Sequence, residues 1–128
     1  MVKFLSAVVA AAVAALVASA ASALEILPYS AEALARARAA DEPIALHFHS
    51  QWCATCKMQT KAFEAMRSEP GLDITLLVVD FDEERELKRE FRVPVSGVVI
   101  VLRGNAERAR LNSVVDPREL SAALRRAL

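Results

Sequence analysis

The sequence is poor in the residues that mark several classes of protein. It has only two cysteines in 128 residues, which excludes a small domain stapled by disulfides, since such domains use about four or more. Basic and acidic residues balance at 16 each, a composition that favours neither nucleic acid nor an anionic membrane as partner. Glycine is scarce, at three residues, and no repeat or low-complexity segment follows residue 24. The remaining possibility is one domain with its own core and a single pair of thiols.

The first residues have the layout of a secretory signal peptide. Lys3 provides a short positive region, Phe4 to Val17 is almost entirely apolar, and residues 21–23 form a small-residue cleavage site. The apolar run is shorter than the ~20 residues that a membrane span needs, so a retained anchor is the less favoured alternative. We therefore predict a signal peptide at residues 1–23, a mature domain at residues 24–128, and a periplasmic or otherwise exported protein.

Hydrophobic patterning predicts that strands and helices alternate in the mature domain. Continuous apolar runs indicate buried strands, whereas capping residues and amphipathic spacing indicate helices. The predicted strands are Leu24–Leu27, Ile44–His49, Ile74–Val79, Val98–Leu102 and Glu107–Leu111. The predicted helices are Ala31–Ala40, Cys53–Arg67, a charged helix from Asp82, and a last helix after the N-cap Asp116 that buries Leu120, Ala123, Leu124, Ala127 and Leu128. This order predicts an α/β fold with a mixed, mostly parallel sheet flanked by helices and a C-terminal hairpin followed by a helix.

The two cysteines occupy the junction between a predicted strand and a predicted helix, in the segment Trp52-Cys53-Ala54-Thr55-Cys56-Lys57. A thiol at a helix N-terminus faces unpaired N–H groups and the positive end of the helix dipole, which stabilise a thiolate. A second thiol one turn later is close enough to attack a mixed disulfide formed by the first. We therefore predict a thiol–disulfide oxidoreductase that needs no cofactor, with Cys53 as exposed, low-pKa nucleophile and Cys56 as sheltered resolving thiol.

This motif resembles the strand–WCxxCK junction of the thioredoxin superfamily, and the resemblance continues through residues 78–82 and 91–104. Within the superfamily the chain is similar to periplasmic thioredoxin-like proteins of Gram-negative bacteria. The resemblance implies a thioredoxin-like fold, a monomer, and protein substrates that carry disulfides or dithiols. It also implies a membrane electron-relay protein as a candidate donor. The Ala54-Thr55 pair matches neither the strong reductants nor the strong oxidants of the family, and we expect a reductase.

Three positions depart from the family pattern. His47 replaces a carboxylate that is often buried six residues before the nucleophile, and Val78 replaces its lysine partner on the neighbouring strand. Gly97 stands where the family has a cis-proline. The Ser96–Gly97 loop is still expected to approach the disulfide and to bind substrate together with Trp52. Without the rigid ring, its backbone is expected to be more adaptable.

His47 and His49 alternate on a predicted strand and should therefore point to the same face. An imidazolium on that face would stabilise a thiolate of Cys53 or Cys56 and could shuttle its proton, so His47 is a candidate catalytic residue. The alternative is a strand histidine whose hydrogen bonds go to backbone or water. Two imidazoles and two thiols are also a sensible ligand set for zinc or copper, which makes a metal-binding protein the alternative function.

Overall fold

Five strands and four helices form residues 23–128, the part of the chain that this computed structural model describes, and they alternate except at a hairpin of two consecutive strands. In chain order they are β1 (Glu25–Pro28), α1 (Ala31–Ala39), β2 (Pro43–His49), α2 (Ala54–Met66), β3 (Thr75–Asp80), α3 (Arg85–Phe91), β4 (Val98–Arg103), β5 (Ala106–Asn112) and α4 (Pro117–Arg125). The predicted elements are thus confirmed in type and order. Apart from Ala23, the predicted signal peptide lies outside the described residues. None of the helices between residues 23 and 128 is long and apolar enough to cross a membrane.

The five strands form one mixed sheet with β2 at its centre. Their order across the sheet is β1-β3-β2-β4-β5. Strands β1 and β2 both run parallel to β3, whereas β4 runs antiparallel to both β2 and β5. The register pairs His47 with Val78, the two positions at which the sequence departs from the family's carboxylate and lysine. The chain enters α2 from this central strand, so the start of α2 is anchored in the middle of the sheet.

Alternate strand residues face two separate hydrophobic cores, one on each side of the sheet. Helices α2 and α4 pack on one side, where Phe63 and Leu120 meet Ala45 of β2. Helices α1 and α3 cover the other side, where Leu87 packs with the fully buried Phe48. Because side chains alternate along a strand, the face of β2 that carries Ala45 also carries its two histidines, beneath α2.

Polar side chains cap α1 and α4 at the predicted positions. The hydroxyl of Ser30 accepts the N–H of Ala33 at 3.1 Å, and the carboxylate of Asp116 accepts the N–H of Arg118 at 2.8 Å. Each cap satisfies a backbone donor that the first helical turn leaves unpaired. The predicted starts of these two helices are therefore confirmed.

Two local predictions are wrong. Helix α3 begins at Arg85 rather than at Asp82, because the carboxylate of Asp80 accepts the N–H groups of Asp82 and Glu83 at 3.0 and 3.2 Å and holds them in a turn. Leu128 is not part of the buried stripe of α4. The helix ends at Arg125, and Leu128 lies beyond it with 48% of its surface exposed.

Candidate active site

Helix α2 begins with a cysteine as its N-cap. After β2 the chain turns tightly, and the N–H of Cys53 donates to the carbonyl of Ser50 at 3.2 Å. Cys53 has an extended backbone, and its Sγ accepts the N–H of Cys56 at 3.1 Å. Serine, threonine or aspartate oxygens usually occupy this position. The sulfur of Cys53 therefore lies where the helix favours a negative charge.

Cys56 lies one turn into α2 and has no exposed surface. Its Sγ donates to the carbonyl oxygen of Phe48 in β2 at a distance of 3.8 Å. A thiol uses its proton in such a bond, so the contact favours the neutral form of Cys56. The structure thus places the two sulfurs in different chemical surroundings, as predicted from the motif.

These surroundings shift the pKa values of the two thiols in opposite directions. Burial raises the pKa of Cys53, but hydrogen bonds from the Cys56 and Ser96 side chains and from the N–H groups of Cys56 and Thr55 outweigh it, so the pKa is below its ordinary value. Burial is also the largest influence on Cys56, and together with the hydrogen bond to Cys53 it raises the pKa of that thiol. Cys53 is therefore the thiol that ionises first.

The exposed fractions of the two cysteines differ less than the sequence predicts. Cys53 keeps only 9% of its surface accessible, against none for Cys56. The reason is the cap itself, because the side chain of Cys53 turns back onto the first turn of α2 instead of projecting into solvent. The prediction of an exposed nucleophile is wrong, and the order of the pKa values is what distinguishes the two sulfurs.

The Ser96–Gly97 loop packs directly against the motif, as the resemblance implies. Gly97 has a φ of +87°, and a Cβ at this position would lie 3.3 Å from Cγ2 of Thr55. Its N–H donates to the carbonyl of Phe48 at 2.8 Å, a bond that a proline could not make. Its carbonyl accepts the N–H of Ser113 at 3.0 Å. Gly97 is thus hydrogen-bonded through both its N–H and its carbonyl, and the expected adaptability of its backbone stays a prediction.

A buried glutamine connects this loop to the histidine beneath the motif. The side-chain amide of Gln59 donates to the carbonyls of Gly97 and Val114, both at 2.9 Å. These two bonds use both amide hydrogens, so Oε1 of Gln59 faces Nε2 of His47, 2.9 Å away, as an acceptor. The arrangement assigns the proton of the imidazole to Nε2. Gln59 thereby ties β2, α2 and two loops together at one buried point.

His47 is held as a neutral imidazole. It is 1% exposed, and burial lowers its pKa from 6.5 to about 4, although the hydrogen bond to Gln59 opposes this shift. At neutral pH the ring therefore carries no positive charge, and its hydrogen bond goes to Gln59 rather than to a sulfur. The catalytic role of His47 stays a prediction, but the imidazolium on which that prediction relied is not the form present near pH 7.

Sequence reasoning missed Gln59, although a signal was available. The residue falls in the core-facing stripe of α2, between Cys56 and the apolar residues Phe63 and Met66, and it has no exposed surface. A long polar side chain at such a position requires hydrogen-bonding partners inside the protein. The identity of those partners depends on the tertiary fold, because they lie 12, 38 and 55 residues away in the chain.

Trp52 and His49 lie beside the motif. Trp52 is 70% exposed, and its Nε1 donates to the carboxylate of Asp82 at 3.2 Å. His49 is half-buried, and its ring centre lies 5.5 Å from that of His47, which confirms that the two histidines share one face. Substrate binding by Trp52, Ser96 and Gly97 stays a prediction, to which the structure adds that Trp52 is available at the surface.

The described residues give no support to a metal site. Between residues 23 and 128 there is no group of three or more His, Cys, Asp or Glu side chains able to hold a metal ion. Of the ligands considered from the sequence, His47 is engaged with Gln59, and Cys53 caps α2. No contact in this region favours the metal-binding alternative.

Comparisons with known proteins agree with this geometry. The sequence model of the thioredoxin family matches residues 28–126. Thioredoxin 2 of Plasmodium falciparum is 32% identical over 85 residues, which cover 66% of this chain and 54% of that protein. The mitochondrial thioredoxin of Mus musculus is 24% identical over 88 residues, which cover 69% and 53%. The chain thus spans about half the length of the curated relatives it matches.

One solved structure is similar to this chain over almost the whole length of the solved protein. The crystal structure of Trxlp from Edwardsiella tarda EIB202 has a TM-score of 0.72 to this chain at 25% identity, covering 78% of this chain and 98% of that one. The residues matched by the family model include β2, the two cysteines, the Gly97 loop and the hairpin of β4 and β5. The mixed sheet, the thiol pair at the start of α2 and the family match lead to one conclusion, that the chain belongs to the thioredoxin family.

Proposed function

We propose that the chain is a thiol–disulfide oxidoreductase that reduces disulfides in protein substrates. The observation that carries the proposal is the geometry of two thiols one helical turn apart: Sγ of Cys53 accepts a helix N–H, whereas Cys56 is fully buried and donates to the carbonyl of Phe48. These surroundings lower the pKa of Cys53 and raise that of Cys56. Exchange needs one sulfur that is already a thiolate and a second that stays protonated until the first has reacted. Family membership supports the same chemistry.

The reaction proceeds by two displacements. The thiolate of Cys53 attacks one sulfur of the substrate disulfide, the other sulfur leaves as a thiolate and takes up a proton, and a mixed disulfide remains. Cys56 then loses its proton and attacks Sγ of Cys53, forming the Cys53–Cys56 disulfide and releasing the second substrate thiol. Two electrons pass from the protein dithiol to the substrate. A dithiol donor must afterwards reduce the protein disulfide by the reverse exchange.

Single cysteine variants test the assignment of roles. We expect Cys53→Ser to abolish reduction of a protein disulfide, because a hydroxyl in place of the thiol cannot supply the thiolate. Cys56→Ser is expected to accumulate a mixed disulfide with substrate, visible by mass spectrometry and released by a small dithiol. In the wild type, alkylation at neutral pH should modify Cys53 well before Cys56. Activity that survives Cys53→Ser, or equal alkylation of both thiols, would exclude this mechanism.

The direction of exchange is tested by the reduction potential. A strong oxidant requires a strongly stabilised reduced form, whereas here the surroundings favour the thiolate at Cys53 and disfavour it at Cys56. We expect a potential below about −220 mV for residues 24–128, within the range of reducing members of the wider fold. A value above about −180 mV would contradict the reductase assignment.

The proposed setting is outside the cytoplasm. Lys3, the apolar run after it and the small residues 21–23 support export followed by cleavage. An exported reductase needs electrons from the other side of the membrane, so we include a membrane electron-relay protein as donor. From the family resemblance we also propose that the working form is a monomer. N-terminal sequencing of the protein from cells should find Leu24 as the first residue. A membrane-bound form that retains residues 1–20 would contradict the export proposal.

A further inference from the structure

Helix α3 carries basic side chains along one face. Arg85, Lys88 and Arg89 follow the spacing i, i+3, i+4 within α3, and Arg92 is its C-cap in the left-handed conformation. All four line a groove of about 640 Å³ together with Phe81, Val93 and Pro94. Three of the four cations are exposed, and Lys88 is half-buried with its Nζ 3.9 Å from the centre of the Phe81 ring. We name this feature the basic groove. Its floor is apolar and its rim is cationic.

The cations of the basic groove lack partners of opposite charge. Among residues 23–128, the ion pairs involve Arg38, Arg67, Arg103, Arg110 and Arg125, and none involves a residue of the groove. The acidic residues nearby line other cavities. Glu84, Glu86 and Glu90 border the one beside Tyr29, and Asp82 and Glu83 border the one beside Trp52. The side chains that line the groove are therefore cationic or apolar, and within the described residues none of its cations forms an ion pair.

Two walls of the basic groove are joined through the chain to residues beside the thiol site. Phe81 donates its N–H to the carbonyl of His49 at 2.9 Å, which joins one wall to the end of β2 just before the motif. Pro94 leads the other wall through Val95, a valine that is 46% exposed, into the Ser96–Gly97 loop. The wall at Pro94 is therefore only two residues along the chain from the Ser96–Gly97 loop, which packs against the motif.

From this continuity and charge we infer that the basic groove docks an acidic segment flanking the disulfide of the protein substrate. The inference rests on the proposed function and names a class of substrate for it. Carboxylates would meet Arg85, Arg89 and Arg92, and an apolar side chain between them would meet Phe81 and Val93. Complementary charge accelerates encounter and orients the partner, and salt weakens it.

Paired peptide substrates test the inference. One peptide carries a disulfide flanked by Glu and Asp, and its match carries Gln and Asn at the same positions. We expect kcat/KM to be about tenfold higher for the acidic peptide at low ionic strength, with the ratio approaching one in ~0.5 M salt. The double variant Arg85→Gln/Arg89→Gln should lose most of this preference. The matched control Arg118→Gln/Arg126→Gln, which removes two exposed arginines of α4 and its C-cap, should keep it.

The outcomes separate the inference from the proposed function. If both peptides are reduced equally by the wild type, the groove proposal is wrong and the oxidoreductase stands. If neither is reduced, the oxidoreductase proposal fails, and fluorescence anisotropy with a cysteine-free acidic peptide decides the groove. Binding that is lost in Arg85→Gln/Arg89→Gln but kept in Arg118→Gln/Arg126→Gln supports docking. No binding by the wild type, or tighter binding of a single-stranded oligonucleotide, overturns it.

Discussion

Acidification should destabilise this protein through one buried imidazole. When the chain unfolds, His47 regains its ordinary pKa of 6.5, whereas burial in the folded protein lowers it to about 4. Between these pH values the unfolded state binds a proton that the folded state excludes. The free energy of unfolding therefore falls as the pH drops below 6.5, and the whole loss has developed near pH 4. Since one pKa unit corresponds to about 1.4 kcal/mol, His47 accounts for a loss of about 3 kcal/mol.

The measurement is urea unfolding of the reduced protein at several pH values between 7 and 4. Carboxylates also titrate in this range, so the contribution of His47 is the difference between the wild type and His47→Leu. We expect the variant to be less stable at pH 7, because Gln59 loses a partner, but to lose about 3 kcal/mol less on acidification. His49→Gln is the matched control, and it should keep most of the wild-type slope, because burial is the largest cause of the lowered pKa of His47 and the charge of His49 is the smallest. Parallel curves for the wild type and His47→Leu would refute the reasoning.

Three further substitutions test the surroundings of the thiols and the caps. Gln59→Leu removes two buried hydrogen bonds and one partly buried one, and it should cost about 2–4 kcal/mol of unfolding free energy in urea. A cost below about 1 kcal/mol would contradict this network. Gly97→Ala places a Cβ 3.3 Å from Thr55 at a φ of +87° and should cost about 1–2 kcal/mol in the same assay, with a changed alkylation rate of Cys53; an unchanged rate and stability would show that the loop tolerates a side chain. Asp116→Ala removes the cap of α4 and should lower the thermal stability by about 1 kcal/mol, and an unchanged melting temperature would argue against that cap.

The fold follows from local patterns in the sequence. Apolar runs specify the inner strands, and Ser30 and Asp116 specify two helix starts, because these signals act within a few residues. The start of α3 could not be predicted in the same way. The acidic run after β3 looks like the first turn of a helix, yet Asp80 binds the N–H groups of the two residues after Phe81 and delays the helix by three residues.

The site could be predicted only as far as the motif reaches. The roles of Cys53 and Cys56 follow from their places at a helix start, and the approach of Gly97 follows from the family resemblance. The charge state of His47 could not be predicted from the motif, because it is set by burial and by a glutamine that the fold brings to it. The hydrogen bonds of Gly97 likewise depend on partners in β2, α2 and the segment after β5, at distances in the chain that no local pattern reports.

The hydrogen bond from Cys56 N–H to the sulfur of Cys53 also bears on how long the covalent complex with substrate lasts. A sulfur that is stabilised as a thiolate is a good leaving group as well as a ready nucleophile. Once Cys53 is joined to substrate, the same helix end that promoted its attack favours its expulsion by the departing substrate thiol. Net reduction then depends on two competing rates, because Cys56 must lose its proton and reach Cys53 before the substrate recloses its own disulfide. The raised pKa of Cys56 slows its deprotonation and therefore its attack on Cys53. The site thus reduces to completion those substrates whose two cysteines move apart quickly after the initial attack.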